Sequence, residues 1–143
     1  MRFWDASALV PLIVAEPFSD RARSWLAEDA HVVTWAWTLV EITRGVERRV
    51  REGKITRTQR RALIDRLHAL ADMWDEVTDV LAVRRHALPI LARHQLAAAD
   101  AAQLAAALLV AETGPATLEF VCLDERLAAA AELEGLRILP EPV

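Results

Sequence analysis

Residues 118–135, "LEFVCLDERLAAAAELEG", decide the fold. A short apolar run ends at Asp124, and an alanine-rich amphipathic segment follows as far as Gly135. The run reads as a buried strand. Residues 125–135 read as a helix with Gly135 as its C-terminal stop. The same order opens the chain at residues 2–16, "RFWDASALVPLIVAE". There a short strand ends at Asp5, and a helix follows with Ser7 as its cap and Pro11 near its first turn, where proline is tolerated. A strand that runs into a helix is the building block of a parallel sheet.

The rest of the chain alternates in the same way. "SDRARSWLAEDA" is amphipathic and helical, and "HVVT" is a second strand. A long helix is expected from Trp35 to Arg51, with Trp35, Leu39, Ile42, Val46 and Val50 on one stripe. "GKIT" breaks it, and residues 56–71 form another helix with Leu63, Leu67 and Leu70 inward. "WDEVT" reads as a third strand, residues 80–95 as a helix kinked at Pro89, and residues 97–109, "AAADAAQLAAALL", as a further helix. "RIL" at 137–139 closes the chain as an edge strand. The expected fold is α/β: one domain over residues 1–143, with a central parallel sheet of four to five short strands flanked by helices.

Composition narrows the function classes. With 54% hydrophobic and 27% charged residues, the 143-residue chain is globular and not disordered. The aliphatic run Leu104–Ala111 is too short to span a bilayer, and the N-terminus meets a charge at Asp5 before any signal-like apolar stretch. A cytoplasmic protein with no membrane partner is the expectation. Cys122 is the only cysteine, so an internal disulfide and a cysteine-cluster metal site are both excluded. His31, His68, His86 and His94 lack zinc-ligand spacing. The net charge of −4 hides a segment, residues 44–66, in which nine basic residues face three acids, giving +6 against −10 for the remainder. Such a segment suits an anionic partner, or simply a solvated helix face.

Four carboxylates stand where apolar elements end or face inward. Asp5 and Asp124 close strands, and ligand sites of parallel sheets form outside the carboxyl ends of the strands. Asp100 shares a four-residue repeat with Leu96, Leu104 and Leu108, so it lies on the leucine stripe of its helix. Glu41, in "LVEITRG", lies beside the buried stripe, with Gly45 one turn on leaving open space. Each has a structural alternative: Asp5 and Asp124 as caps, Asp100 as a dipole partner, Glu41 as a pair for Arg44. Four acids in one crevice either rise in pKa or hold a cation, and an all-oxygen site suits Mg²⁺ or Mn²⁺.

"FWDASALVPLIVAEP", "VEITRG", "AAADAAQLAAALL" and "FVCLDERLAAAAELEG" together resemble the four acidic blocks of PIN-domain nucleases, and most closely the VapC toxins of toxin–antitoxin pairs. The resemblance covers nearly the whole chain in order. It implies a catalytic cluster of Asp5, Glu41, Asp100 and Asp124, with Ser7 in support. Asp5 and Asp100 would hold Mg²⁺ (or Mn²⁺) most directly. Glu41 and Asp124 would act directly, through water or on a second ion. The implied activity is hydrolysis of RNA by a metal-activated water. The implied partners are an RNA substrate, a cognate antitoxin and a second copy in a homodimer. Two positions depart from the pattern: Cys122 replaces a hydroxyl residue, which bears on the hydrogen bonding around Asp124, and Gln103 stands where histidine is common.

Arg44 and Arg48, nearest the acids, are the candidate RNA contacts, and antitoxin binding is the alternative for the basic segment. Trp4, Trp25, Trp35, Trp37 and Trp74 could stack on bases, but burial habits favour packing for all five. Competing readings are a non-catalytic RNA- or partner-binding domain, a DNA nuclease of the same fold, and a strand-end aspartate phosphatase or phospho-acceptor. The last needs a lysine near the aspartate, and the only lysine, Lys54, stands in a loop of the basic segment. No glycine-rich phosphate loop is present.

Overall fold

A computed structural model describes residues 1–142. Five parallel strands, β1 (Arg2–Trp4), β2 (Val32–Trp35), β3 (Asp75–Val77), β4 (Glu119–Val121) and β5 (Arg137–Leu139), form one sheet in the order β3-β2-β1-β4-β5. Seven helices connect and cover them: α1 (Ala6–Leu9), α2 (Ser19–Glu28), α3 (Thr38–Arg51), α4 (Arg57–Ala71), α5 (Val80–Arg93), α6 (Ala98–Thr113) and α7 (Glu125–Leu133). The central strand, β1, is buried throughout, its one charged residue, Arg2, being paired with Glu28 and Glu119. Its period-2 alternation feeds two cores. Phe3 points into a cluster with Phe120, Leu104 and Leu127, and Trp4 into one with Trp25, Ile42, Leu67 and Val121.

The sheet explains the site's location. The chain order reverses at β1, between β2 on one side and β4 on the other, and a crevice opens at the carboxyl ends of strands at such a switch point.

The structure corrects several expected boundaries. Asp5, not Ser7, caps α1, and that helix stops at Leu9 because Pro11 has no N–H to donate to the residue four before it; a 3₁₀ turn, Val10–Leu12, follows. Trp35 belongs to β2, in register with Val77 of β3, so α3 starts at Thr38 and its buried stripe is Thr38, Ile42 and Val46. Helix α4 opens with a capping box between Thr56 and Gln59, after Gly53 has turned the chain at φ 71°. Pro89 lies inside α5, which runs as one helix over Val80–Arg93. Strand β4 ends at Val121, three residues before Asp124.

Leu96 precedes α6, so the leucine repeat is not one helical stripe. Past its first turn α6 is buried on most sides, from Ala101 through Ala107 with only Ala102 half-open, because α5, α7 and β2 all pack on it. Its apolar composition is that of a core helix. No single helix among the described residues is long and apolar enough to cross a membrane.

Candidate active site

Asp5 emerges directly from the central strand. Its backbone N–H donates to Val121 C=O, which ties the end of β1 to β4. Its carboxylate caps α1 by accepting from Ser7 N–H at 3.1 Å, and the Ser7 hydroxyl donates to the same Oδ2. Ser7 Oγ in turn accepts from Leu123 N–H at 2.9 Å, so one hydroxyl joins the β1 and β4 ends. Asp5 is only 3% exposed. Burial pushes its pKa up to about 6, against the opposing effect of the Ser7 hydrogen bonds.

Asp124 caps α7 by accepting from Leu127 N–H at 3.0 Å. Asp100 occupies the first turn of α6, after exposed Ala98 and Ala99 and before the helix enters the core. Burial raises its pKa, and the nearby Asp124 charge adds to the rise. This position answers why a carboxylate sits in so apolar a helix: only the first turn faces the crevice.

Glu41 reaches the same crevice from α3. Burial raises its pKa to about 7, Gln103 opposes the rise, and the charges of Asp5 and Asp100 add to it. Gln103 is fully buried, and its Nε2 donates to Glu41 Oε2 at 3.3 Å and to Thr38 Oγ1 at 2.8 Å. Thr34 donates to Trp4 C=O at 2.7 Å and lies 2.8 Å from the Thr38 hydroxyl. With the Thr34 proton so used, Thr38 must donate to Thr34 and accept from Gln103. A hydrogen-bond chain therefore links the central strand, β2, α3 and α6 to Glu41, with Gln103 donating in both directions. In the sequence Gln103 stands out only as a departure from the family pattern. The signal was available: Gln103 lies one turn after Asp100 on α6.

The four acids, with Ser7, Trp37, Arg44 and Gly45, line one cleft of about 540 Å³. The Cys122 thiol reaches the backbone of Asp124, as expected, and the carboxylate of Asp5 as well. Its Sγ lies 3.6 Å from Asp5 Oδ2 and 3.4 Å from the backbone carbonyl of Asp124, so it touches the Asp5 carboxylate and not that of Asp124. Burial raises the thiol pKa, keeping it protonated as a donor. Arg48 is not brought to the acids: it pairs with Glu52 at 3.0 Å in a separate shallow pocket.

The donor set suits a divalent cation. All its ligand atoms are oxygens, and Glu41 Oε1 is buried without any hydrogen-bond partner. Among the described residues no three acidic, histidine or cysteine side chains close into a ready-made cage. An open ring of hard oxygens around a cleft fits an ion that keeps part of its water shell.

The family model described as PIN domain matches residues 2–133. The chain belongs to the PIN-domain family. PIN domains are generally metal-dependent nucleases. Two solved structures share the fold of this PIN domain. The crystal structure of PAE2754 from Pyrobaculum aerophilum matches with a TM-score of 0.62 at 20% identity, covering 97% of this chain and 89% of that one. That of FitAcB from Neisseria gonorrhoeae matches with a TM-score of 0.65 at 20% identity, covering 96% of both. No curated protein sequence matches this PIN domain significantly.

Proposed function

We propose that this PIN domain is a VapC-like endoribonuclease, the toxin of a toxin–antitoxin pair, dependent on Mg²⁺ or Mn²⁺ and acting in the cytoplasm. The observation that carries the reading is the convergence of Asp5, Glu41, Asp100 and Asp124 from four different elements on one cleft. A domain that only binds nucleic acid gains nothing from clustered negative charge. A cation held by Asp5 and Asp100, with Glu41 and Asp124 completing its shell, would supply charge neutralisation at the phosphate and a more acidic water.

The chain's own residues supply the rest. Asp5 is held rigid by the Ser7 hydroxyl and the α1 backbone. Glu41 is oriented by Gln103, which holds Oε2 and leaves the buried Oε1 without a hydrogen-bond partner. Arg44 is exposed on the cleft wall and offers its guanidinium to a phosphate. RNA as the substrate, the antitoxin and a homodimer follow from the family resemblance.

The test is cleavage of a purified small-RNA pool by the wild type and by Asp100→Asn, each with Mn²⁺ and with EDTA. Discrete fragments that need the metal and disappear in the variant are expected. Absence of cleavage by folded wild type, freed of any co-purified protein, would overturn the nuclease reading.

A further inference from the structure

Four of the five tryptophans obey the expectation of burial: Trp4, Trp25, Trp35 and Trp74 are 0–8% exposed. Trp37 does not. It is 60% exposed and stands on the wall of the carboxylate cleft. A large aromatic surface left in water in that position needs a reason.

Its backbone is fixed. Trp37 is the residue that precedes α3, and its carbonyl accepts from Glu41 N–H at 3.1 Å, so the ring is anchored one turn before a site carboxylate. Trp37, Val40, Glu41 and Arg44 follow the i, i+3, i+4, i+7 pattern of one helix face and all line the cleft. Val40 is exposed too, and Arg44 has no carboxylate partner among the described residues. Trp37 and Arg44 are separated by about 10 Å along the axis. One face thus presents, in order, an aromatic plane, an apolar side chain, a carboxylate and a free guanidinium.

The geometry points to Trp37 as a stacking platform for an unpaired nucleobase, with Arg44 on a neighbouring phosphate, so that the cleft takes single-stranded and not duplex RNA. This rests on the nuclease reading for the identity of the strand, but its test is binding, not cleavage. A base inside a duplex has both faces covered by its neighbours, and only an unpaired base can offer one to an indole. Stacking of this kind tolerates any base. A protein partner is less suited to the patch. Only Trp37 and Val40 are large exposed apolar groups there, and they are interleaved with Glu41 and Arg44. The longer exposed apolar row, Leu81, Leu88 and Leu91, belongs to α5.

The probe is an unstructured twelve-nucleotide RNA, titrated in EDTA while tryptophan fluorescence is followed. Four buried indoles give a constant background, and the exposed one reports. Wild type should show saturable quenching, and the same RNA annealed to its complement should show little. Trp37→Ala should lose the quenching and, by anisotropy of the same RNA carrying a fluorescent label, bind about ten-fold more weakly, and Trp37→Phe should recover most of the affinity. Equal affinity of wild type and Trp37→Ala, both folded by circular dichroism, overturns the proposal. So does equal quenching by the duplex. Quenching that depends on protein concentration and ignores RNA also overturns it, because the ring is then covered by a second copy. Quenching as expected with no metal-dependent cleavage leaves the platform standing and removes the nuclease reading instead.

Discussion

Asp5 and Asp124 are written in the same grammar, yet they occupy different environments. Each follows a strand, each N-caps the next helix, and both line one cleft. Asp5 follows its strand at once, at the middle of the sheet, and is almost fully buried. Asp124 stands three residues past a strand one place further out, and is half-exposed. The cover over the strand end, not local sequence, decides the difference: β1 and β4 each have a neighbour on both sides, but the carboxylate at the β1 end is covered by Ser7 and Cys122. A covered cap becomes a desolvated carboxylate, poised for a cation. An open cap remains mainly a cap that shares the cleft.

The largest expected effect tests this on activity. Asp5→Asn keeps a good N-cap residue and the same shape but removes the charge. Cleavage should fall about a thousandfold, since charge stabilisation by a bound cation is worth several kcal/mol. Asp124→Asn should cost clearly less. Equal losses in single-turnover assays would erase the proposed division of labour.

The second effect is on stability against pH, without metal. Asp5 titrates at about 6 in the fold, above its ordinary 3.8. Between these values the folded chain holds more protons than the unfolded one, so stability falls as pH rises. The contribution is full below about 4 and gone above about 6. It totals about 3 kcal/mol, roughly half of it above pH 5. Glu41 acts in the same sense up to about 7. The pair of His86 with Glu112 also weakens as pH rises, because its raised pKa marks a favoured charged form. Melting temperature in EDTA should therefore drop from pH 5 to pH 8, and Mn²⁺ should restore it at pH 8. Asp5→Asn should flatten only the Asp5 part, leaving those of Glu41 and His86. A wild-type profile that rises with pH would contradict the burial of Asp5.

Much of this was legible in the sequence. The strand–aspartate–helix order of residues 2–16 and 118–135 needs only hydrophobic runs and helix signals, which are local. A shared crevice for Asp5 and Asp124, with Asp100 nearby, followed from the strand ends of a parallel sheet, and the cluster of four with Glu41 from the family resemblance. What escaped depends on packing between distant segments. Trp35 reads as the start of a helical stripe until β3 pairs with it. Gln103 looks like a polar interruption until Thr38 and Glu41 arrive from α3. Trp37 is indistinguishable from four buried tryptophans until the cleft wall is seen. Arg48 shares a strip with Glu41 but is held away by Glu52.

A smaller effect isolates the capping role. Asp124→Ala should destabilise by about 1 kcal/mol relative to Asp124→Asn, because only asparagine can still accept from Leu127 N–H. Chemical denaturation at pH 8 measures it. No difference between the two would mean that α7 is held by its buried face, Leu127, Ala130 and Ala131, and not by its cap.

The smallest expected effect lies where the two aspartates meet. The Cys122 thiol has one proton and two acceptors, the Asp5 carboxylate and the Asp124 carbonyl. A serine there is a stronger donor but a shorter one, and both distances exceed a normal hydroxyl bond. If the buried pocket closes by a few tenths of an ångström, the hydroxyl favours the charged form of Asp5. The midpoint of the metal-free pH profile should then move down by roughly half a unit. Cys122→Ala removes the donor and should move it up. An unmoved midpoint in both variants would assign the thiol proton to the Asp124 carbonyl, and the link between the two strand ends would rest on Ser7 alone.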